Sequence, residues 1–203
     1  MLGLPKSTEI NKPLPKKAVL DKFKPKPDAR KLFDEQISRL SIMAEISPQT
    51  VSTSAGTDVA AIYVILVILK VPECDKKNIA LLSKLIDQRI IFALQYQDKI
   101  RLAVYRLERV LISENKLIDE WKLTLRGLNL GTVWENIIAE VGGIDLIEDT
   151  VLDVAIAAKE CCEKLMKQID ALEKQAMNEQ QPRKKWEFAE EIKRLKTELE
   201  GMG

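Results

Sequence analysis

Histidine is absent from the 203-residue sequence, and aromatic residues make up only 5% of it. Because histidine is the commonest general base and metal ligand, its absence excludes a Ser-His-Asp triad and the usual zinc sites. Cys74, Cys161 and Cys162 lack CxxC spacing, so they predict neither a zinc site nor a disulfide framework. We therefore expect a non-enzymatic protein with no catalytic residues, no metal and no cofactor.

The sequence also lacks a long hydrophobic run and an excess of one charge. Lys and Arg number 32 against 31 Asp and Glu, and this balance creates no overall field that would favour nucleic acid or membrane. The longest apolar stretch, residues 59–69, is too short to span a bilayer. Met1 is not followed by the basic and apolar stretches of a signal peptide. We expect a cytoplasmic protein without membrane contact.

Residues 1–28 are rich in lysine and proline. Pro5, Pro13 and Pro15 oppose a regular helix, so we expect an extended basic arm that is disordered until it binds a partner. A protein groove would recognise the side chains of Leu4, Thr8, Glu9, Ile10 and Asn11. Nucleic-acid phosphates would instead attract Lys12, Lys16, Lys17, Lys22, Lys24 and Lys26. Since Glu9 and Ile10 do not suit phosphates, the protein groove is favoured.

Residues 29–143 predict an α+β domain in which helices pack on a mixed β-sheet. Residues 62–70 are β-branched and apolar on both faces, which is typical of a central strand. Further strands are predicted at 38–46, 89–96 and 99–106, with edge strands at 107–113 and 120–126. Helices are predicted at 29–36, at 78–87 with Asn78 as the cap, and at 131–141 with a Thr132–Glu135 capping box and a stop at Gly142–Gly143.

Residues 144–203 predict an antiparallel helical hairpin with coiled-coil packing. One apolar seam comprises Val151, Ala155, Ala158, Cys162, Leu165, Ile169, Leu172 and Ala176, and a second seam, after Pro182, comprises Phe188, Ile192, Leu195 and Leu199. The second helix is too short to cover the whole first seam. We expect the uncovered part to pack on the sheet domain, on a partner or on a second copy of the chain, with Val151, Ala155, Ala158, Leu165 and Ile169 as the protein-binding candidates.

One pattern suggests an enzyme instead. An acid on a helix or strand followed by a lysine at the end of the next strand resembles the core of metal-dependent restriction-type nucleases, with Asp34, Glu45 and Lys70 as candidates. However, Ile68 occupies the position two residues before the lysine, where a second metal-binding acid is needed. A degenerate nuclease core or a subunit that binds DNA directly therefore stays an alternative.

Several segments resemble a known family. MLGLPKSTEINKPLPKK, NIALLSKLI, LQY, RLAVYR and LNLGTVWENI are similar to the bacterial domain-of-unknown-function 4391 family over almost the whole chain. The resemblance implies a gene located beside DNA methyltransferases and superfamily-two helicases in restriction-like and anti-phage defence loci, with no activity established. We therefore expect a non-catalytic accessory subunit that docks a helicase or methyltransferase and reaches nucleic acid through that partner.

Overall fold

The computed structural model describes residues 2–144 and 152–201. The chain divides into two compact units, Met1–Gly143 and Ile144–Gly203. The first unit contains a mixed sheet with packed helices, and the second contains two consecutive long helices. This architecture confirms the predicted α+β class and the C-terminal hairpin.

The sheet runs in the order β1-β2-β3-β4-β5-β6, with the short β7 paired to β5. Among these seven strands, the pairing of β3 with β4 is parallel, and the other pairings are antiparallel. The strands are β1 Glu9–Leu14, β2 Ile37–Ile46, β3 Ile62–Leu69, β4 Arg89–Tyr96, β5 Lys99–Arg106, β6 Arg109–Ile112 and β7 Lys116–Leu117. The helices are α1 Lys16–Phe23, α2 Pro27–Gln36, α3 Lys76–Leu82, α4 Leu130–Gly142, α5 Leu152–Asn178 and α6 Pro182–Glu200, with 3-10 turns at Lys6–Thr8 and Ile118–Glu120.

The central strand β3 is buried on both faces, as its sequence predicts. Ile65 and Val67 belong to an apolar cluster that includes Phe33 of α2 and Ile79 of α3. Val64, whose side chain lies on the opposite face because successive residues alternate, is also fully buried. The parallel neighbour β4 requires a crossover connection, and α3 provides the helix of that crossover.

The prediction for α3 is wrong at both ends. The cap is Asp75, whose carboxylate accepts the Lys77 N–H at 2.8 Å, and the helix ends at Leu82. Asn78 lies inside the helix, 2% exposed, and its amide donates to Gln36 Oε1 at 2.9 Å. Asp75 is better placed for capping because the residue before the first turn can reach its free N–H groups. Asn78 instead ties α3 to the end of α2.

The prediction for α4 is confirmed except at its start. Asn129 caps the helix by accepting the Thr132 N–H at 3.0 Å, so the expected Thr132–Glu135 capping box is wrong. The helix begins two residues before Thr132, since the earlier polar side chain already satisfies the first turn. Gly143 ends it in the left-handed conformation, with φ of 57°. The expected inward residues Trp134, Ile137, Ile138 and Val141 are all buried.

The predicted edge strand at 120–126 is wrong. Residues 121–126 form no strand, although their alternating apolar side chains resemble one. Trp121 and Leu123 are buried, the Trp121 indole N–H donates to the Ile100 carbonyl at 3.1 Å, and the Leu123 N–H donates to the Leu2 carbonyl at 3.0 Å. The alternation therefore reflects an extended segment held by buried side chains rather than by a strand ladder.

The expectation of an extended, disordered arm over residues 1–28 is also wrong. β1 pairs antiparallel with β2, and α1 buries Val19 and Leu20. The prolines permit this arrangement because Pro13 lies on an edge strand and Pro15 directly precedes the first turn of α1. Proline has no backbone N–H to donate, and neither the edge of the sheet nor the residue before a helix requires that donor. Residues 2–28 are thus an integral part of the first unit.

A close approach of two backbones provides a test of this fold. A Cβ atom at Gly56 would lie 2.5 Å from the Gly131 nitrogen, whereas Gly201 has no neighbour nearer than 3.6 Å. Because backbone cannot move aside as a side chain can, we expect Gly56→Ala to lower the free energy of unfolding by about 1–3 kcal/mol. Gly201→Ala should leave it unchanged. Thermal and urea unfolding of both variants would measure this, and equal stabilities would contradict the packing.

Candidate protein-binding surfaces

The helical hairpin has a narrow core. Leu165, Ile169 and Leu195 are each at least nine-tenths buried, and Lys196 Nζ forms an ion pair with Glu173 across the two helices at 2.8 Å. The core is completed by partly buried residues, which are Cys161, Leu172, Ile192 and Leu199. The narrow core leaves most side chains of both helices in solvent.

The predicted seam holds at the centre of α5 and is wrong towards its start. Leu165 and Ile169 are buried as expected, but Ala155 and Ala158 are only half-buried. Leu152 and Ile156 are buried instead, at 6% and 3% exposure, and Val151 lies outside the described residues. The larger aliphatic side chains remove more apolar surface from water than alanine does, so they determine which stripe is buried.

The hairpin also carries large apolar side chains that its core does not use. Met177 in the last turn of α5 is 81% exposed, and Trp186 in the second turn of α6 is 65% exposed. Val154 and Met166 are exposed as well. Met177 and Trp186 lie within about 6 Å of the connecting turn along their helix axes, at a rise of about 1.5 Å per residue. We call residues 174–187 the hairpin tip.

The turn at the tip is held by a single acidic side chain. Glu179 Oε1 accepts the N–H groups of both Gln181 and Gln180 at 2.9 Å, and the bond from Gln181 above all lowers the pKa of Glu179. Pro182 then occupies the first position of α6, where no backbone donor is needed. The position of the tip therefore follows directly from the local sequence.

The tip is the basic part of the hairpin. It contains Lys174, Arg183, Lys184 and Lys185 against Glu179 and Glu187, whereas the remainder of each helix carries more acids than bases. Arg183 pairs with Glu187 at 3.3 Å, and the three consecutive cations directly precede the exposed Trp186. The exposed side chain of Trp186 therefore lies in a basic stretch of the helix.

The five residues expected to enter a protein groove are separated by the fold. Leu4, Glu9 and Asn11 line a cavity of about 170 Å³ beside β2. Ile10 is exposed. Thr8 is fully buried and its hydroxyl donates to the Pro5 carbonyl at 2.7 Å, so it stabilises the first 3-10 turn instead of facing a partner.

The six candidate lysines for phosphate contact also differ in their surroundings. Lys16 forms an ion pair with Asp34 and donates to the Ile37 carbonyl, both at 2.7 Å. Lys22 donates to the Leu85 carbonyl at 2.6 Å. These two lysines fasten α1 to the rest of the first unit. The remaining four are exposed and are Lys12, Lys17, Lys24 and Lys26.

The three nuclease candidates do not converge. Lys70 Nζ donates to the backbone carbonyl of Asp34, whose carboxylate faces Lys16. Glu45 pairs in the ladder with Tyr63, seven residues of β3 before Lys70, which is a separation of about 23 Å. There the pKa of Tyr63 is raised by burial and by Glu45. Within residues 2–144 and 152–201, no group of three or more acidic or thiol side chains could hold a metal ion.

A family model described as "Domain of unknown function (DUF4391)" matches residues 2–199. The chain belongs to the DUF4391 family. The match covers nearly the whole sequence and confirms the resemblance found in its motifs. Comparisons with curated proteins and with solved structures give no match. In the described part of this DUF4391 protein, no helix has both the length and the apolar character required to cross a membrane.

The contact between α1 and α2 predicts a pH effect. The Lys16 ammonium holds the pKa of Asp34 below its ordinary value of 3.8. A carboxyl group with a depressed folded pKa contributes stability above its unfolded pKa and loses that contribution as the pH falls through the folded value. We expect Lys16→Gln to raise the pKa of Asp34, and Lys17→Gln to leave it unchanged. NMR titration of the Asp34 carboxyl carbon would show this, and equal titrations in both variants would contradict the contact.

Adjacent residues of α5 offer a matched test of the hairpin core in this DUF4391 protein. Leu165 is 7% exposed and Met166 is 52% exposed. A carboxylate at the buried position cannot keep its water, so Leu165→Asp should cost about 2–4 kcal/mol of hairpin stability, and Met166→Asp should cost little. Circular dichroism at 222 nm would follow the loss of helix, and equal helix loss in the two variants would contradict the assigned core.

Proposed function

We propose that this protein is a non-catalytic subunit of a cytoplasmic bacterial DNA-defence complex, in which the hairpin docks a helicase or a DNA methyltransferase. The observation that carries the proposal is the exposure of Met177 and Trp186 at the hairpin tip. Two large apolar side chains that lie exposed at the same end of the hairpin favour a binding surface there. The gene neighbourhood implied by the family resemblance supplies the kind of partner.

The composition of the tip fits a protein interface. Tryptophan and arginine supply a large share of binding energy in such interfaces, and methionine is enriched there. Trp186 follows Arg183, Lys184 and Lys185 directly, so one short segment offers both an apolar anchor and a charged rim. The excess of cations favours an acidic surface on the partner, since complementary charge speeds association and fixes orientation.

The edge strand β1 offers a second contact. It lies at the end of the sheet, and Ile10 is 40% exposed. Its ladder with β2 shifts register between Glu9 and Lys12, and Pro13 has no backbone donor, so the strand is poorly suited to adding another strand. The side chains around the cavity of Leu4, Glu9 and Asn11 are the better contact. A partner would therefore bind a surface that is already folded here, and no flexible arm would have to become ordered.

The proposal is tested by co-expressing the chain with the helicase and methyltransferase encoded beside it, followed by affinity purification. We expect the wild type to retain a partner. Trp186→Glu should weaken retention by at least about tenfold, since an anchor of this kind contributes about 2 kcal/mol or more. Lys193→Glu provides the control, because it makes a larger charge change at an exposed position of α6 outside the tip.

Two results would contradict the proposal. One is recovery of the chain alone at every salt concentration tried. The other is equal retention by wild type and Trp186→Glu, with circular dichroism showing that both are folded. Loss of binding by Lys193→Glu and Trp186→Glu alike would indicate that net charge, and not the apolar anchor, determines docking.

A further inference from the structure

A cleft of about 760 Å³ lies within the first unit, at the amino-terminal ends of β3 and β4. Two connections form its walls, the loop before β3 and the segment between α3 and β4. Tyr105 of β5 and Trp134 of α4 are also among the lining residues. The volume falls within the range of about 300–1,000 Å³ that small-molecule sites occupy. The cleft contains none of the residues assigned above to protein binding.

The charged side chains of the cleft favour an anion. Lys22, Lys84 and Arg89 line it, together with the carboxylates of Asp58 and Asp87. Lys22 is held in place because its ammonium donates to the Leu85 carbonyl at 2.6 Å. Arginine and lysine are the residues that bind phosphate oxygens, and carboxylates accept hydrogen bonds from sugar hydroxyls and amino groups. A ligand that carries all of these groups would place its phosphates against the cations and its hydroxyl and amino groups against the carboxylates.

The wall beside Trp134 is fixed by backbone contacts. The Leu130 N–H at the start of α4 donates to the Ser54 carbonyl at 2.9 Å. Gly56 approaches Gly131 so closely that a Cβ atom could not be accommodated. The loop before β3 is thereby fastened to the first turn of α4. A ligand entering the cleft would meet a wall that is already formed, which reduces the entropy lost on binding.

We infer that this cleft binds a nucleotide, with its base against Tyr105 and its phosphates held by Lys22, Lys84 and Arg89. Aromatic rings stack on bases, and the cations neutralise the phosphates. The inference does not depend on the proposed docking function, because the cleft and the hairpin tip share no residues.

Isothermal titration calorimetry on the purified full chain tests the inference, with ATP, AMP, adenosine and tripolyphosphate as probes. We expect ATP to bind and tripolyphosphate and adenosine each to bind at least about tenfold more weakly, since each lacks one half of the contacts. Lys84→Ala and Arg89→Ala should each weaken ATP binding by about tenfold. Tyr105→Leu removes the aromatic ring that the base would contact, so it should also weaken ATP binding.

The matched control is Lys77→Ala, because Lys77 is an exposed lysine of α3 outside the cleft. It should bind ATP as the wild type does. Three results would overturn the inference. The first is no binding by the folded wild type at about 1 mM ATP, a concentration at which a dissociation constant in the millimolar range would still be detected. The others are equal ATP binding by wild type and the Lys84→Ala/Arg89→Ala double variant, and equal affinity for tripolyphosphate and ATP. Each concerns the chain alone and leaves the docking experiment unaffected.

Discussion

Strand β3 must be covered on both faces, and the first unit is organised around that requirement. Its eight residues, Ile62–Leu69, are apolar with the exception of the tyrosine hydroxyl, and burying each large aliphatic side chain contributes about 1.5–3 kcal/mol. The parallel pairing with β4 forces the chain through a crossover, and α3 covers one face there together with α1 and α2. α4 contacts β5 and β6 through residues outside that cluster. The N-terminal segment is needed for this cover, which explains why it is folded.

The elements that cover β3 are held together by polar residues, some of which suggest a catalytic site when only the sequence is inspected. Gln36 accepts from both Asn78 and the Asp75 N–H, Lys16 pairs with Asp34, and Lys70 donates to the backbone of α2. These bonds connect the end of α2 to the start of α3 and the end of β3. Near the end of α2, these charged side chains therefore form contacts that stabilise the fold. The exposed apolar side chains of the hairpin tip and the charged lining of the cleft lie outside this network, and we propose binding there.

The sequence predicts those elements whose patterns act locally. The apolar run of β3, the stop at Gly143 and the buried Leu165 and Ile169 are read correctly, because local residue types and apolar spacing determine them. Residues 1–28 are misread because a proline is harmless on an edge strand or before a helix, and neither position is visible before the pairing of β1 is known. The cleft is not predictable in this way, since its residues come from five segments that are distant in the chain.

Amide hydrogen exchange, measured on the chain alone and on the chain bound to its co-purified partner, would test docking by the hairpin, because it reports protection residue by residue. We expect the partner to slow exchange in residues 174–190, at the hairpin tip and the start of α6. Exchange in β3, which is already buried and paired on both sides, should not change. Protection confined to the sheet unit, with an unchanged hairpin tip, would contradict the assignment of the hairpin as the docking element.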